Sequence, residues 1–428
     1  MRSKKSILHQ GVGKICRRLN IASLCKCVVA LWIMAQIVLL IVFWRHPQGS
    51  DQGEYMRMAI DCYNRGVWYP DAAYLYEGYI WAPGLVNYFI LQLRIFGTLD
   101  FNPVFNLLMN IGIVFDIFII AAKWFSRRTA YIAVILYCLI YSNAMVILPA
   151  GTEVPFLFLI ITGFTLTLRR SGRRLAVAGV LFALANWIRP LTIIFLPAVL
   201  VYFYIKRYKA ADYAALLLPL VLLTTLIGLW TKSQIGHFVF QSTTASVNLI
   251  MTANDRAYGG VASSLLRDPT SSCYIEDYKS LTYAQEDSIW RARAIDWILR
   301  NPEKYAGLYL LKIPGLYVED SWADRPLLGG DGAVEKAMRS SDNKAGVAKR
   351  LPVMAAKSLV YYVMLALFII AVVRYRREWR SEKGLLLLIV VTGTLVTCVF
   401  AVSPRYHYPW LFAMVIWAAY GLDMKTSR

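Results

Sequence analysis

Histidine and cysteine are rare in this chain, at four and seven in 428 residues. The histidines are scattered and no cysteine pair has metal-site spacing, so a closed zinc module is excluded. Acids are also scarce, 26 against 46 lysines and arginines, for a net charge of +20. Such a surplus can mark a nucleic-acid partner, but these bases sit in short clusters between apolar runs, so they read as topology signals and no nucleic acid is expected. No internal repeat or low-complexity tract is evident, which excludes a repeat array. The first apolar run, 28 to 44, follows a basic leader (Arg2, Lys4, Lys5, Lys14, Arg17, Arg18) and lacks a small-residue cleavage site. It is therefore expected to be a retained first helix with its amino end in the cytoplasm.

What is abundant is apolar sequence. The chain is 58% hydrophobic with a mean hydropathy of +0.49, and a bilayer needs ~20 apolar residues per helical crossing. The expected class is an all-α polytopic membrane protein of about ten spans. After the first, these lie at 103–122, 130–148, 153–168, 175–188, 190–205, 211–231, 358–373, 384–401 and 407–422. Placing the clusters at 123–128, 169–174, 206–209, 374–383 and the tail from Lys425 in the cytoplasm leaves 45–102, 149–153, the Arg189 turn, 232–357 and 402–406 outside. The acids agree, since 14 lie in 232–357 and six more are Asp51, Glu54, Asp61, Asp71, Glu77 and Glu153. The organisation is thus 1–231, a transmembrane module whose first external loop is 45–102; 232–357, a large external loop of near-balanced charge with helical patterning at 284–300 and 303–317; and 358–428, the closing helices.

One apolar stretch breaks the parity. Residues 79–97, "YIWAPGLVNYFILQLRIFG", are nearly long enough to span, but a crossing there would invert every later basic cluster. An interfacial or re-entrant helix starting near Pro83 is expected instead. On this topology only Cys62 and Cys273 are both outside, and either a disulfide between them or two free thiols fits the sequence. Asp116 falls inside a span, where a carboxylate pairs or lines a cavity; Lys123 or a neighbouring helix could take it.

Just past the first span comes "SDQGEYMRMA", 50 to 59. Asp51 with Glu54 could simply start a helix in the manner of a capping box. The alternative is that a carboxylate placed at the outer membrane surface meets a lipid-anchored and a soluble substrate together. Asp51 with Tyr55, Ala59 and Gly66, followed by "WAPGLVNYF", resembles the first external loop of the GT-C glycosyltransferases, the class of the protein O-mannosyltransferases and the lipid A aminoarabinose transferase. "LPAGTEVPFLFLI" with Glu153, "ANWIRP" with Arg189, "SVNLIMTANDRAYGG" with Asn254 and Arg256, and "SPRYHYPW" with Arg405, Tyr406 and His407 extend the resemblance, in order, over most of the chain. The chain departs from the mannosyltransferases in having Gln52 after Asp51, where they have adjacent acids, and Ala82-Pro83 in place of paired prolines.

The resemblance implies a GT-C helical bundle and an enzyme in the membrane, in bacteria the inner membrane with its site on the periplasmic face. It would take a sugar from a polyprenyl phosphate to a lipid, glycan or protein, inverting the anomeric centre. Asp51 would be the catalytic or substrate-orienting carboxylate, acting as base, with Glu153 as second acid; Glu54, Tyr55, Arg189, Asn254, Arg256, Arg405, Tyr406 and His407 would contact substrate. The cofactor stays unknown: one branch of the class admits a divalent metal, and no ligand spacing here indicates one. Each residue also has a plainer reading. Arg189 and Arg405 could snorkel or anchor beside tyrosines, Glu153 suits any helix start, and Trp68, Tyr69, Tyr74, Tyr76, Tyr79 and Trp81 suit an interfacial belt. Two other functions stand as alternatives, a transporter from another class and a polymerase or ligase closer in chemistry. A flippase for a lipid-linked saccharide would concentrate polar groups at the midplane in paired repeats, and a glycan polymerase or ligase would want a basic large loop.

Overall fold

The computed structural model describes residues 20–328 and 344–426; the basic leader and Cys16 lie outside them. Every regular element among the described residues is helical, apart from a single bridge between Gly260 and Val402. The chain opens with α1 (Ile21–Val42), capped by the Asn20 side chain, followed by α2 (Ser50–Asn64) and α3 (Pro83–Phe96). The bundle continues with α4 (Asn102–Trp124), α5 (Arg127–Leu139), α6 (Tyr141–Met145), α7 (Glu153–Thr167), α8 (Gly172–Ile188), α9 (Thr192–Ile205) and α10 (Ala210–Ile235). The large loop folds as α11 (Ala245–Ile250), α12 (Tyr283–Arg300), α13 (Pro302–Tyr317) and α14 (Arg325–Leu328). The chain then closes with α15 (Lys344–Lys357), α16 (Leu359–Arg374), α17 (Gly384–Val399) and α18 (Tyr408–Thr426).

This is an integral membrane protein: α1, α4 and α10 are each long and apolar enough to cross a bilayer, and their outward faces carry bare Leu31, Ile41, Leu108, Phe115, Leu218 and Leu222. The segment from Leu351 through α16 would make a fourth span, bent by 58° at a short break, while α7, α9 and α17 are apolar but shorter. Helix α3 has 14 residues, about 21 Å at ~1.5 Å per residue, well under a ~30 Å hydrocarbon core. It packs on α2 and α8. The stretch expected as one span at 130–148 is two helices broken at Ile140. The Asn143 amide donates to Tyr137 O (2.9 Å), and Asn110 Nδ2 donates to Asn143 O (2.8 Å), so side chains take over backbone partners and let the helix turn.

At the centre is α18, buried on all sides through Tyr420, as a helix apolar all round must be. The Tyr137 and Tyr408 hydroxyls meet at 3.2 Å, Tyr137 donates to Asn110 Oδ1 (3.2 Å), and Asn110 donates to Gln36 Oε1 (3.0 Å). This chain of polar groups links α1, α4, α5 and α18 in one register, since unmet hydrogen bonds are costly in apolar surroundings. Asp116 is held by the Thr162 hydroxyl of α7 (2.6 Å), and Lys123 turns instead to Leu168 O.

The large loop has a small apolar core of its own, including Val247, Ile250, Cys273, Trp290 and Ala294. It is stitched to the segment before α18, where Ala401 N donates to Asn248 O (3.2 Å) and Val402 N to Gly259 O (3.0 Å). Cys273 sits in this core and Cys62 in the main one; both are free thiols, so the disulfide alternative is not realised.

Candidate active site

Four charged side chains from four separate segments converge at the ends of bundle helices and the segments beside them. Asp51 lies in the first turn of α2, but the cap is Gly49 and no side chain caps the helix, so Asp51 forms no capping box. Its carboxylate accepts instead from Arg405 Nη2, across 354 positions of chain. Glu153 opens α7, and its Oε1 accepts from Arg189 Nη1 at 3.2 Å. Both pairs are partly or wholly withdrawn from solvent, with side chains 24% and 22% exposed for Asp51 and Arg405 and 6% and 12% for Glu153 and Arg189. The Tyr406 ring joins them, lying 5.2 Å from the Arg189 guanidinium and 5.6 Å from that of Arg405. Two acids and two arginines balance to zero formal charge.

Local sequence explains each placement. Arg189 ends α8 in an extended conformation, as a residue before proline should. The backbone just before it touches α3 at Gly84, where a Cβ would stand 2.7 Å from Ile188 N and Trp187 C. Arg405 and Tyr406 ride on the 3₁₀ turn Pro404–His407, which follows directly on the residues stitched to the large loop. Glu153 is delivered by the 146–152 connection, whose Ile147 and Pro149 carbonyls accept from Asn106 (3.0 and 3.3 Å).

Tyr55, one turn after Asp51, is buried and touches Trp81 edge to face at 5.0 Å. Burial, reinforced by the neighbouring Asp51 charge, drives its phenol well above the usual tyrosine range, so it stays a neutral donor. The remaining sequence candidates lie elsewhere. Glu54 pairs with Arg57 at 2.8 Å, both about half exposed. Asn254 turns on its own loop, donating to Ile250 O (2.7 Å) and accepting from Arg256 N (2.9 Å), and Arg256 pairs with Asp268 at 2.6 Å. His407 faces away from Arg405: its Nδ1 lies 3.0 Å from Leu316 O, its Nε2 3.3 Å from Asp320 Oδ1, and Tyr361 stacks on it at 5.0 Å. The same buried region holds the pairs Glu319–Arg325 and Asp324–Lys357, and Asp320 also accepts from Ser142 and Trp322.

Gln52, noted in the sequence only as a departure from the mannosyltransferases' adjacent acids, is a further neighbour of the site. It is buried, its Nε2 borders Gly151 beside Glu153, and its Oε1 lacks a partner among the described residues. An open cleft of about 510 Å³ lies along α2, lined by Gln48, Gly53, Met56, Arg57, Ile60, Asp61 and Asn64. It includes neither Asp51 nor Glu153, so volume and chemistry part company here; the ionic cluster is the better guide because its partners are specific. Among the described residues no three His, Cys, Asp or Glu side chains are grouped to hold a metal. Asp51 and Glu153 each face an arginine.

No family model and no curated protein matches the chain. Among solved structures it is similar to the oligosaccharyltransferase of Archaeoglobus fulgidus tethered to an acceptor peptide with the NVT sequon (12% identity, TM-score 0.49, covering 94% of this chain and 50% of that one). It is also similar to ArnT from Cupriavidus metallidurans, in the apo state (13%, TM-score 0.48, 94% and 60%) and bound to undecaprenyl phosphate (12%, TM-score 0.40, 93% and 78%). The chain thus spans about half the length of the first of these and three fifths of the second. At identities of 12 to 13% and TM-scores under 0.5, these likenesses assign neither substrate nor catalytic residue to this chain.

Proposed function

We propose that this chain is a membrane glycosyltransferase of the GT-C class that moves a sugar from a polyprenyl phosphate to a lipid, glycan or protein acceptor at the external face, with inversion. The observation that carries the reading is the meeting of Asp51, Glu153, Arg189 and Arg405 around the Tyr406 ring. These residues come from four of the stretches whose sequence resembles that class, and neither a snorkelling arginine nor a helix cap requires them to meet.

The chemistry suits the groups. The acceptor oxygen forms a bond to the anomeric carbon while the bond from that carbon to the phosphate oxygen breaks. The acceptor proton passes to Asp51, and the lipid phosphate leaves with one more negative charge. Arg405, aided by Arg189, receives that charge through bidentate hydrogen bonds, and Glu153 holds Arg189 in position. Displacement in one step needs no carboxylate nucleophile, as in inverting sugar hydrolysis.

The test uses the purified full-length chain in liposomes with undecaprenyl-phosphate-linked sugars, following release of undecaprenyl phosphate. Mass spectrometry of envelope lipids and glycans from a deletion strain identifies the product. Release that depends on Asp51 and Arg405 supports the reading. Lipid-linked sugar moved across the bilayer without cleavage would assign transport instead.

A further inference from the structure

The transfer chemistry makes no use of Glu286. It lies in the first turn of α12, in the large loop, only 1% exposed, and its Oε1 has no hydrogen-bond partner among the described residues. Burial pushes its carboxyl up to about 7. An unpartnered buried carboxylate is costly and calls for a specific explanation.

Its surroundings indicate what would complete it. Its Oε2 faces Gly78, where a Cβ would stand 3.6 Å away and where φ is +82°, so at that point backbone and not a side chain lies against the acid. Next in sequence is Tyr79, half-buried, whose ring meets Trp81 edge to face at 5.5 Å, and Trp81 in turn meets Tyr55 at 5.0 Å. The Tyr79 hydroxyl feels Asp51, Arg267 and Glu286 together; burial first and then the Asp51 charge push it up to about 12. This strip is fixed at Ile80, whose N–H donates to Thr243 Oγ1 (2.8 Å) and whose carbonyl accepts from Thr243 N (2.9 Å) and Ser242 Oγ (3.1 Å). An acid, two half-buried rings and the buried ring of Tyr55 therefore run from the large loop toward Asp51.

We propose that Glu286, Tyr79 and Trp81 form a saccharide subsite for the acceptor, in which the Glu286 carboxylate takes hydrogen bonds from adjacent sugar hydroxyls and the rings pack on the sugar's C–H face. A pyranose offers both faces at once, paired O–H donors on its edge and an apolar flat side, and so matches this pairing better than an extended peptide. The inference rests on the transferase reading and narrows its acceptor to a glycan or glycolipid.

The full-length protein in nanodiscs is to be probed by saturation-transfer NMR with methyl glycosides of glucose, galactose, mannose and N-acetylglucosamine, and separately with a serine-rich peptide. At least one glycoside should bind wild type, and Glu286→Gln and Tyr79→Ala should each weaken it by about tenfold or more, the loss expected for a charged hydrogen bond or a ring contact. Binding of undecaprenyl phosphate should not change in Glu286→Gln. Glutamine is nearly isosteric, so that variant should fold even where Tyr79→Ala does not. The subsite is overturned if no glycoside binds, if only the peptide binds, or if Glu286→Gln binds glycosides as wild type does. Glu286-dependent glycoside binding without any release of undecaprenyl phosphate from a sugar donor would instead retain the subsite and reject the transferase reading.

Discussion

Asp51→Asn separates the structural and chemical duties of one carboxylate. Asp51 holds Arg405 in a pair about a quarter exposed, and two unit charges ~3 Å apart attract by about 5 kcal/mol at an effective dielectric of ~20. Desolvation and screening cancel much of that. Asparagine keeps a carbonyl where Arg405 Nη2 now donates, retaining a hydrogen bond of about 1 kcal/mol. The net loss of stability is then about 1–3 kcal/mol, which a protein stable by ~5–15 kcal/mol survives. Turnover should fall much further, because an amide cannot take the acceptor proton: removal of a general base costs about 100- to 10,000-fold. The assay is release of undecaprenyl phosphate at saturating donor and acceptor, with the folded fraction measured on the same sample. Turnover within about fivefold of wild type, or a deficit that merely follows the unfolded fraction, would refute Asp51 as the base.

Arg405→Lys should slow turnover and leave the acceptor's apparent affinity nearly unchanged, and Arg405→Ala should be worse, since lysine offers a point charge where arginine offers a fork; an effect confined to the acceptor term would move Arg405 to the acceptor site. Gly84→Ala should cost about 1–3 kcal/mol through overpacking and lower turnover as well, because the new Cβ meets backbone just before Arg189; thermal melting and steady-state kinetics check it, and wild-type values in both would refute that close approach. Glu286 is raised to about 7 from 4.5, so its contribution is most favourable below the unfolded value and is lost as pH rises through the folded one. Glu286→Gln should therefore melt higher than wild type above about pH 7, and a melting difference independent of pH would contradict this. Single cysteines at Thr98 and Ser126 in a cysteine-free background should label from opposite sides of the membrane with an impermeant thiol reagent; labelling from one side would break the parity argument.

The helices were readable because long apolar runs and basic clusters are one-dimensional signals. The ends of α4, α7, α8 and α9 fall within three residues of where composition places them. The break at Ile140 was not readable, because it depends on amides from Asn110 and Asn143 that find their partners only in the packed bundle. At the site, Asp51, Glu153, Arg189 and Arg405 could be nominated because charge beside a membrane span is conspicuous. Their pairing was not visible, since Asp51 and Arg405 are 354 positions apart. Glu286 escaped notice for the opposite reason: in a loop with many acids, an ordinary glutamate becomes unusual only through burial.

The contact between Asp51 and Arg405 also bears on the order of events. Asp51, the proposed base, is paired with the cation proposed for the leaving group, so on that reading a bare acceptor would find no free carboxylate. A phosphodiester arriving beside Arg405 competes for that guanidinium and frees Asp51 as it does so. Readiness for proton transfer would then be conferred by the donor itself, giving compulsory-order kinetics with the lipid-linked sugar first. The same arrangement would keep a stray hydroxyl, water included, from being activated before there is a sugar to receive it.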